Sequence, residues 1–115
     1  MQNHAKVVII GGGVVGCSIL YHLSKFGLKD CILLERNELT SGSSWHAAGN
    51  VHVISSDPNI SRMMAYTIGL YKEIEKESGH SVGFKPSGGF YLASNDVWAD
   101  YLKRERSKAR YRIKN

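Results

Sequence analysis

Val7-Val8-Ile9-Ile10-Gly11-Gly12-Gly13-Val14-Val15-Gly16 is the stretch from which the fold is read. Its first four residues form a short apolar, β-branched run that stops at three glycines, the pattern of a strand buried on both faces of a parallel sheet. Beyond the glycines, Val14, Val15, Cys17, Ile19, Leu20, Leu23 and Phe26 recur at helical spacing, and Gly27 supplies a C-terminal stop. Cys31 to Leu34 is a second apolar run and ends at Glu35, closing a strand, glycine turn, helix and strand within about thirty residues. The sequence therefore predicts an α/β fold founded on a βαβ unit.

The same stretch carries chemistry. Gly11, Gly13 and Gly16 occupy the glycine positions of G-x-G-x-x-G. The first permits a tight turn, the second lets backbone approach a pyrophosphate, and the third lets helix and strand pack closely. The amino terminus of the following helix offers N–H groups and a positive dipole end to phosphates. Glu35 lies nineteen residues after Gly16, at the carboxyl end of the second strand. An acid there accepts hydrogen bonds from both hydroxyls of an adenosine ribose and repels a 2′-phosphate, which favours FAD or NAD over NADP. The plainer alternative is a glycine-rich tight turn with Glu35 as a solvated surface charge.

The turn does not separate FAD from NAD; the next segment does. From Asn37 to Ser56 no apolar period persists, and within it runs Thr40-Ser41-Gly42-Ser43-Ser44-Trp45-His46-Ala47-Ala48-Gly49-Asn50. Small residues let the backbone come close to a second group of atoms, and the serines supply N–H and O–H donors for phosphate oxygens. An NAD enzyme has no requirement for such a loop at this point.

Glu35-Arg36 followed by Leu39 to Gly49 resembles the segment of the sarcosine and dimethylglycine dehydrogenase family, D-amino-acid-oxidase-like flavoenzymes, in which the histidine after the Trp bonds covalently to the flavin. The sequence departs from that family mildly, at Ser44, where Thr is common, and at Asn50, where Leu is common. The resemblance implies a Rossmann-like FAD-binding βαβ unit. It implies that His46 carries the FAD, that Glu35 and Arg36 contact the adenosine end, and that Val14 and Val15 contribute backbone at the first helical turn. Gly42, Ser43, Ser44, Trp45, His46, Ala47, Ala48, Gly49 and Asn50 would wrap the pyrophosphate and the flavin edge. Imidazole suits attachment, because its neutral ring nitrogen is a nucleophile near neutral pH and a flavin tautomer with an electrophilic ring methyl accepts it. The implied reaction is oxidation of a small N-methyl amine by hydride transfer to the flavin, giving an iminium that is hydrolysed or captured by tetrahydrofolate. The electron acceptor is not specified, and any catalytic base would lie in residues that this chain lacks. No catalytic residue is named.

Farther along, Asp57-Pro58 is a helix start, with Asp as cap and Pro at the first helical position. Ile60, Met64, Ile68, Tyr71 and Ile74 continue an apolar stripe to a stop at Gly79. Val82 to Ala93, with Phe84, Phe90, Tyr91 and Leu92 around Pro86-Ser87-Gly88-Gly89, reads as two short strands joined by a turn. By the resemblance these strands begin the sheet of a substrate domain. Ser94 or Asn95 caps a last helix bearing Val97, Trp98, Tyr101 and Leu102. The expected division is an FAD-binding portion over 1–93, incomplete as a domain, and a charged helix or tail over 94–115.

Composition bounds the rest. The 115 residues suffice for one small core. The formal charge of +5 sits in the tail: Lys103 to Asn115 holds seven basic residues and one acidic, while the preceding chain holds eight and nine. With only Tyr101 and Tyr111 interleaved, the tail is no stacking platform, and nucleic-acid binding is not expected. Cys17 and Cys31 form no CxxC, and His4, His22, His52 and His80 share no ligand spacing, so neither a disulfide framework nor a metal site is expected. His22 reads as a solvated residue of the first helix. With unpaired thiols, no membrane-length apolar run and only six residues before the first strand, a soluble cytoplasmic protein is the expectation. Two alternatives stay open: a non-covalent FAD or NAD dehydrogenase, and a nucleotide-binding module without activity of its own.

Overall fold

A computed structural model describes residues 4–112. The chain divides into two compact units, one ending at Asn50 and the other beginning at Val51.

In the first unit, β1 (Val7–Ile10), α1 (Val14–Lys25) and β2 (Cys31–Leu34) follow the order read from the apolar periodicity. The two strands pair in parallel, with Val7 opposite Cys31 and Ile10 opposite Leu34. Gly11 extends the ladder by donating its N–H to the Leu34 carbonyl at 2.8 Å. A parallel pair needs a crossover, and α1 provides it, packing on both strands. Ile9 lies under this helix and is 7% exposed. Burying one such side chain contributes about 1.5–3 kcal/mol. Gly16 is buried beside it, and a Cβ there would overlap the Gly11 carbonyl oxygen. The close packing asked of the third glycine is therefore real. On the other face of the sheet, Val8, Ile10 and Leu34 are exposed. Phe26 caps α1, and Gly27 turns the chain at φ +85°.

The second unit contains α2 (Pro58–Ser78) and α3 (Asp96–Arg112), which touch each other. The Asp57 carboxylate accepts the N–H groups of Asn59 at 2.6 Å and Ile60 at 3.2 Å, and Pro58 takes the first helical position. Gly79 ends α2 in the left-handed conformation at φ +70°, where glycine carries no Cβ penalty. Met64, Ile68, Tyr71 and Ile74 are half-buried along one face, whereas Ile60 is exposed. The Asn95 side chain accepts the Trp98 N–H at 3.0 Å and so caps α3. Of the apolar set expected to seat α3, only Leu102 is half-buried, and Ala99, Glu105 and Ala109 complete its sheltered stripe. The basic segment from Lys103 continues as helix to Arg112, with Lys103–Asp100 and Lys108–Glu105 ion pairs at 3.0 Å; its last three residues lie outside those described.

One expectation fails. No strand forms over 82–93. Gly83 and Gly88 both take φ +73°, outside extended backbone, and the Ser87 N–H folds back onto the Lys85 carbonyl at 2.8 Å. The Glu75 carboxylate takes the Val82 N–H at 2.9 Å and the Ser81 hydroxyl at 3.0 Å, so α2 engages the donor that a neighbouring strand would need. A lone hairpin is marginal in water, and the start of a substrate-domain sheet is absent from the described residues.

Candidate functional site

The candidate site is the glycine turn between β1 and α1 together with the loop that leaves β2, all within the first unit. Its geometry begins at Gly11, whose φ of +105° only glycine adopts without strain, and a Cβ there would point into open space. Gly13 is the N-cap of α1 and makes no side-chain cap bond, and the first helical turn holds no acidic residue. The positive end of α1 therefore faces the turn without a carboxylate of its own.

Glu35 is fixed against this turn. One carboxylate oxygen accepts the Gly12 N–H at 2.6 Å and the other accepts the Asn37 N–H at 2.9 Å. These two donors, Asn37 foremost, hold the carboxyl below its ordinary value against a smaller opposing effect of desolvation; Arg36 adds its own N–H and its charge. The result is a carboxylate at the strand end with lone pairs left for further donors. Arg36 is itself exposed beside it.

The loop returns to the turn twice. Thr40 donates its N–H to the Gly12 carbonyl at 2.9 Å, and the Val14 N–H donates to the Ser44 hydroxyl at 2.8 Å. Thr40 holds φ +65°, unusual for a β-branched residue. Between these ties the loop is closed by its own turns, with Trp45 N–H to Thr40, His46 N–H to Ser43 and Ala47 N–H to Ser44 carbonyls. His46 Nδ1 lies 3.0 Å from the Gly42 carbonyl oxygen, and the Trp45 ring meets the imidazole edge-on at 5.7 Å. A carbonyl only accepts, so Nδ1 is the donor in this bond, and Nε2 lies outside it. Trp45 and His46 are both exposed.

Gly11, Gly13, Val14, Glu35 and Ser44 are thus gathered at one place, with Gly42, Ser43 and His46 held next to them by the loop. Val15 is exposed on the first turn of α1, and Ala47 to Asn50 run on as an exposed stretch in which Gly49 has φ +71°. Sequence reasoning quoted Gly12, Leu39 and Thr40 within their motifs but gave none of them a role in the site. A Cβ on Gly12 would strike the Leu39 side chain, so the middle glycine is also a close-approach position. The only available signal was a third glycine where the motif leaves a free choice. The open cradle at Gly11 and the anchored carboxylate fit an adenine dinucleotide, while two N–H groups of the turn, those of Gly12 and Val14, are engaged by Glu35 and Ser44.

Outside the site, Cys17 and Cys31 are free thiols whose sulfurs lie 3.5 and 3.4 Å from the Gly12 and Leu28 carbonyls. His22, expected in solvent, is half-buried and bonds the Ser18 carbonyl through Nδ1 at 2.7 Å. Among the described residues no helix is long and apolar enough to cross a membrane.

Comparison with known proteins adds independent findings. A family model described as FAD dependent oxidoreductase matches residues 6–115. The chain is 43% identical over 107 residues to human mitochondrial dimethylglycine dehydrogenase, covering 93% of this chain and 12% of that protein. It is 42% identical over 105 residues to human mitochondrial sarcosine dehydrogenase, covering 90% and 11%. It is also 38% identical over 108 residues to the mitochondrial pyruvate dehydrogenase phosphatase regulatory subunit of Mus musculus, covering 94% and 12%. The chain thus spans about an eighth of the length of the relatives it matches. The cytoplasmic expectation is overturned by these names, since all three relatives are mitochondrial. Free cysteines speak only for a reducing environment and do not choose one compartment.

Proposed function

The chain belongs to the FAD-dependent oxidoreductase family, and on that premise we propose that it is the dinucleotide-binding portion of an enzyme that oxidises N-methyl amines, with the flavin bonded covalently to His46. The dehydrogenases it resembles are named for dimethylglycine and sarcosine, which makes a small secondary or tertiary N-methyl amine the favoured substrate class. When bound, FAD would supply the two-electron acceptor for oxidation of the amine. The residues of this chain bind and orient. Gly11, Gly13, Val14, Val15 and Gly16 receive the pyrophosphate, Glu35 and Arg36 the ribose end, and Gly42 to Asn50 the flavin side. The division into an FAD-binding portion over 1–93 and a charged helix from 94 belongs to the same reading. No residue here is assigned to the substrate, to tetrahydrofolate or to the electron acceptor.

The observation that supports the proposal is the docking of the His46 loop on the glycine turn, with Nδ1 engaged by the Gly42 carbonyl and Nε2 outside that bond, the nitrogen the proposal gives to the flavin. A loop histidine with only a structural role makes the same bond to backbone, so the mass measurement below decides between the two. The mouse relative favours a second reading, because its name is that of a regulatory subunit: a nucleotide-binding module that does not catalyse.

Intact mass of the denatured protein, purified from cells supplied with riboflavin, tests the first reading beside a His46→Ala control. The expected result is one added FAD that disappears in the control. Yellow native protein with an unmodified denatured mass overturns covalent attachment, and colourless protein favours the second reading.

A further inference from the structure

We propose that Ser44 is the positioning residue that sets His46 against the glycine turn, through the hydrogen bond its hydroxyl accepts from the Val14 N–H; the inference rests on the reading of His46 as the flavin-bearing residue. The bonds inside the loop are local: Ser41 N–H to Glu38 at 3.3 Å, Trp45 N–H to Thr40 at 3.2 Å and His46 N–H to Ser43 at 3.2 Å. They give the loop its shape but do not place it on anything. Placement comes from two bonds to the turn, and they differ in kind. The Thr40 N–H to the Gly12 carbonyl is backbone to backbone and uses no side-chain atom. The bond at Ser44 spans thirty positions and depends on one side-chain oxygen.

Two further observations place control at Ser44. Its carbonyl accepts the Ala47 N–H at 3.3 Å, so the turn that contains His46 is hung from this residue. A Cβ on Gly13 would lie 3.1 Å from the Ser44 Oγ, tighter than ordinary van der Waals contact. The second motif glycine therefore admits the serine hydroxyl to the amino end of α1, in addition to any phosphate. The Ser44 oxygen also serves as the cap that the N-cap residue, being glycine, lacks.

The test compares the wild type, Ser44→Ala and Ser44→Thr in two measurements on the purified protein. Amide hydrogen exchange is expected to speed up at Val14 and across 40–47 by about five- to tenfold in Ser44→Ala, the size of one net hydrogen bond, and to return toward wild type in Ser44→Thr, which keeps the hydroxyl. The covalent fraction of the bound flavin, read from denatured mass against total FAD, is expected to fall at least as far in Ser44→Ala and to return toward wild type in Ser44→Thr. Unchanged exchange at Val14 and the loop in Ser44→Ala overturns the positioning role whatever the flavin does. Faster exchange with an unchanged covalent fraction overturns the link to His46. A wild type that binds FAD without a covalent bond removes the reading of His46, whereas the exchange result still decides whether Ser44 places the loop.

Discussion

Glu35 shows at the scale of one residue how a motif position becomes a constraint on pH. Its carboxylate joins the end of β2 to the turn after β1 through Gly12 and to its own loop through Asn37. Its folded value lies below the ordinary one, so its stabilising contribution is present above the unfolded carboxylate pKa of about 4.3 and is lost as pH falls through the lower folded value. The melting temperature is expected to drop as pH is lowered from about 5 toward 3, with a shallower drop in Glu35→Gln, whose neutral amide oxygen makes weaker bonds. The group is solvent-accessible, so the effect is modest. Equal slopes for the two proteins in thermal melts across that range contradict the assignment. The acid was legible in the sequence because it stands where the second apolar run ends. Its bond to Gly12 was not, since the two are twenty-three positions apart and only the register of β1 on β2 brings them together.

At the scale of elements, the helices were readable to their ends wherever the stop signals were local. Asp57 caps α2 and Gly79 closes it, and both act on backbone groups within one turn. The substitution Asp57→Ala removes the acceptor for two N–H groups and is expected to lower stability by about 1 kcal/mol, whereas Asp57→Asn, which keeps a side-chain oxygen, retains most of it. Urea unfolding measures the difference, and coincident curves for wild type and the Ala variant rule out this cap as a contributor. The segment 82–93 had comparable sequence signals for strands, yet none forms. A helix satisfies its backbone internally, whereas a strand borrows donors and acceptors from a neighbour, and here the Glu75 carboxylate engages the donor instead. A capping acid is visible in sequence; a competing acceptor seven residues upstream is not.

For the whole molecule, the described residues bury little and show much. Phe90 is 98% exposed and Leu92 92%, in a stretch without regular structure, and Ile10 is 87% exposed at the end of β1. Apolar surface of this kind promotes association between copies. Sedimentation equilibrium is expected to show a mass that rises with concentration and falls back toward the monomer in a Phe90→Ser, Leu92→Ser double variant. A wild type that stays monomeric throughout the micromolar range contradicts this. The sequence by itself determined the order β1, α1, β2 and the boundaries of α2, because periodicity, caps and glycine turns act over a few residues. Only the tertiary structure decided that Glu35 bonds Gly12, that Ser44 and Thr40 clip the histidine loop to the turn, and that 82–93 forms no sheet. Those outcomes depend on which distant groups come within hydrogen-bonding distance, and a linear pattern carries no distance between residues thirty positions apart.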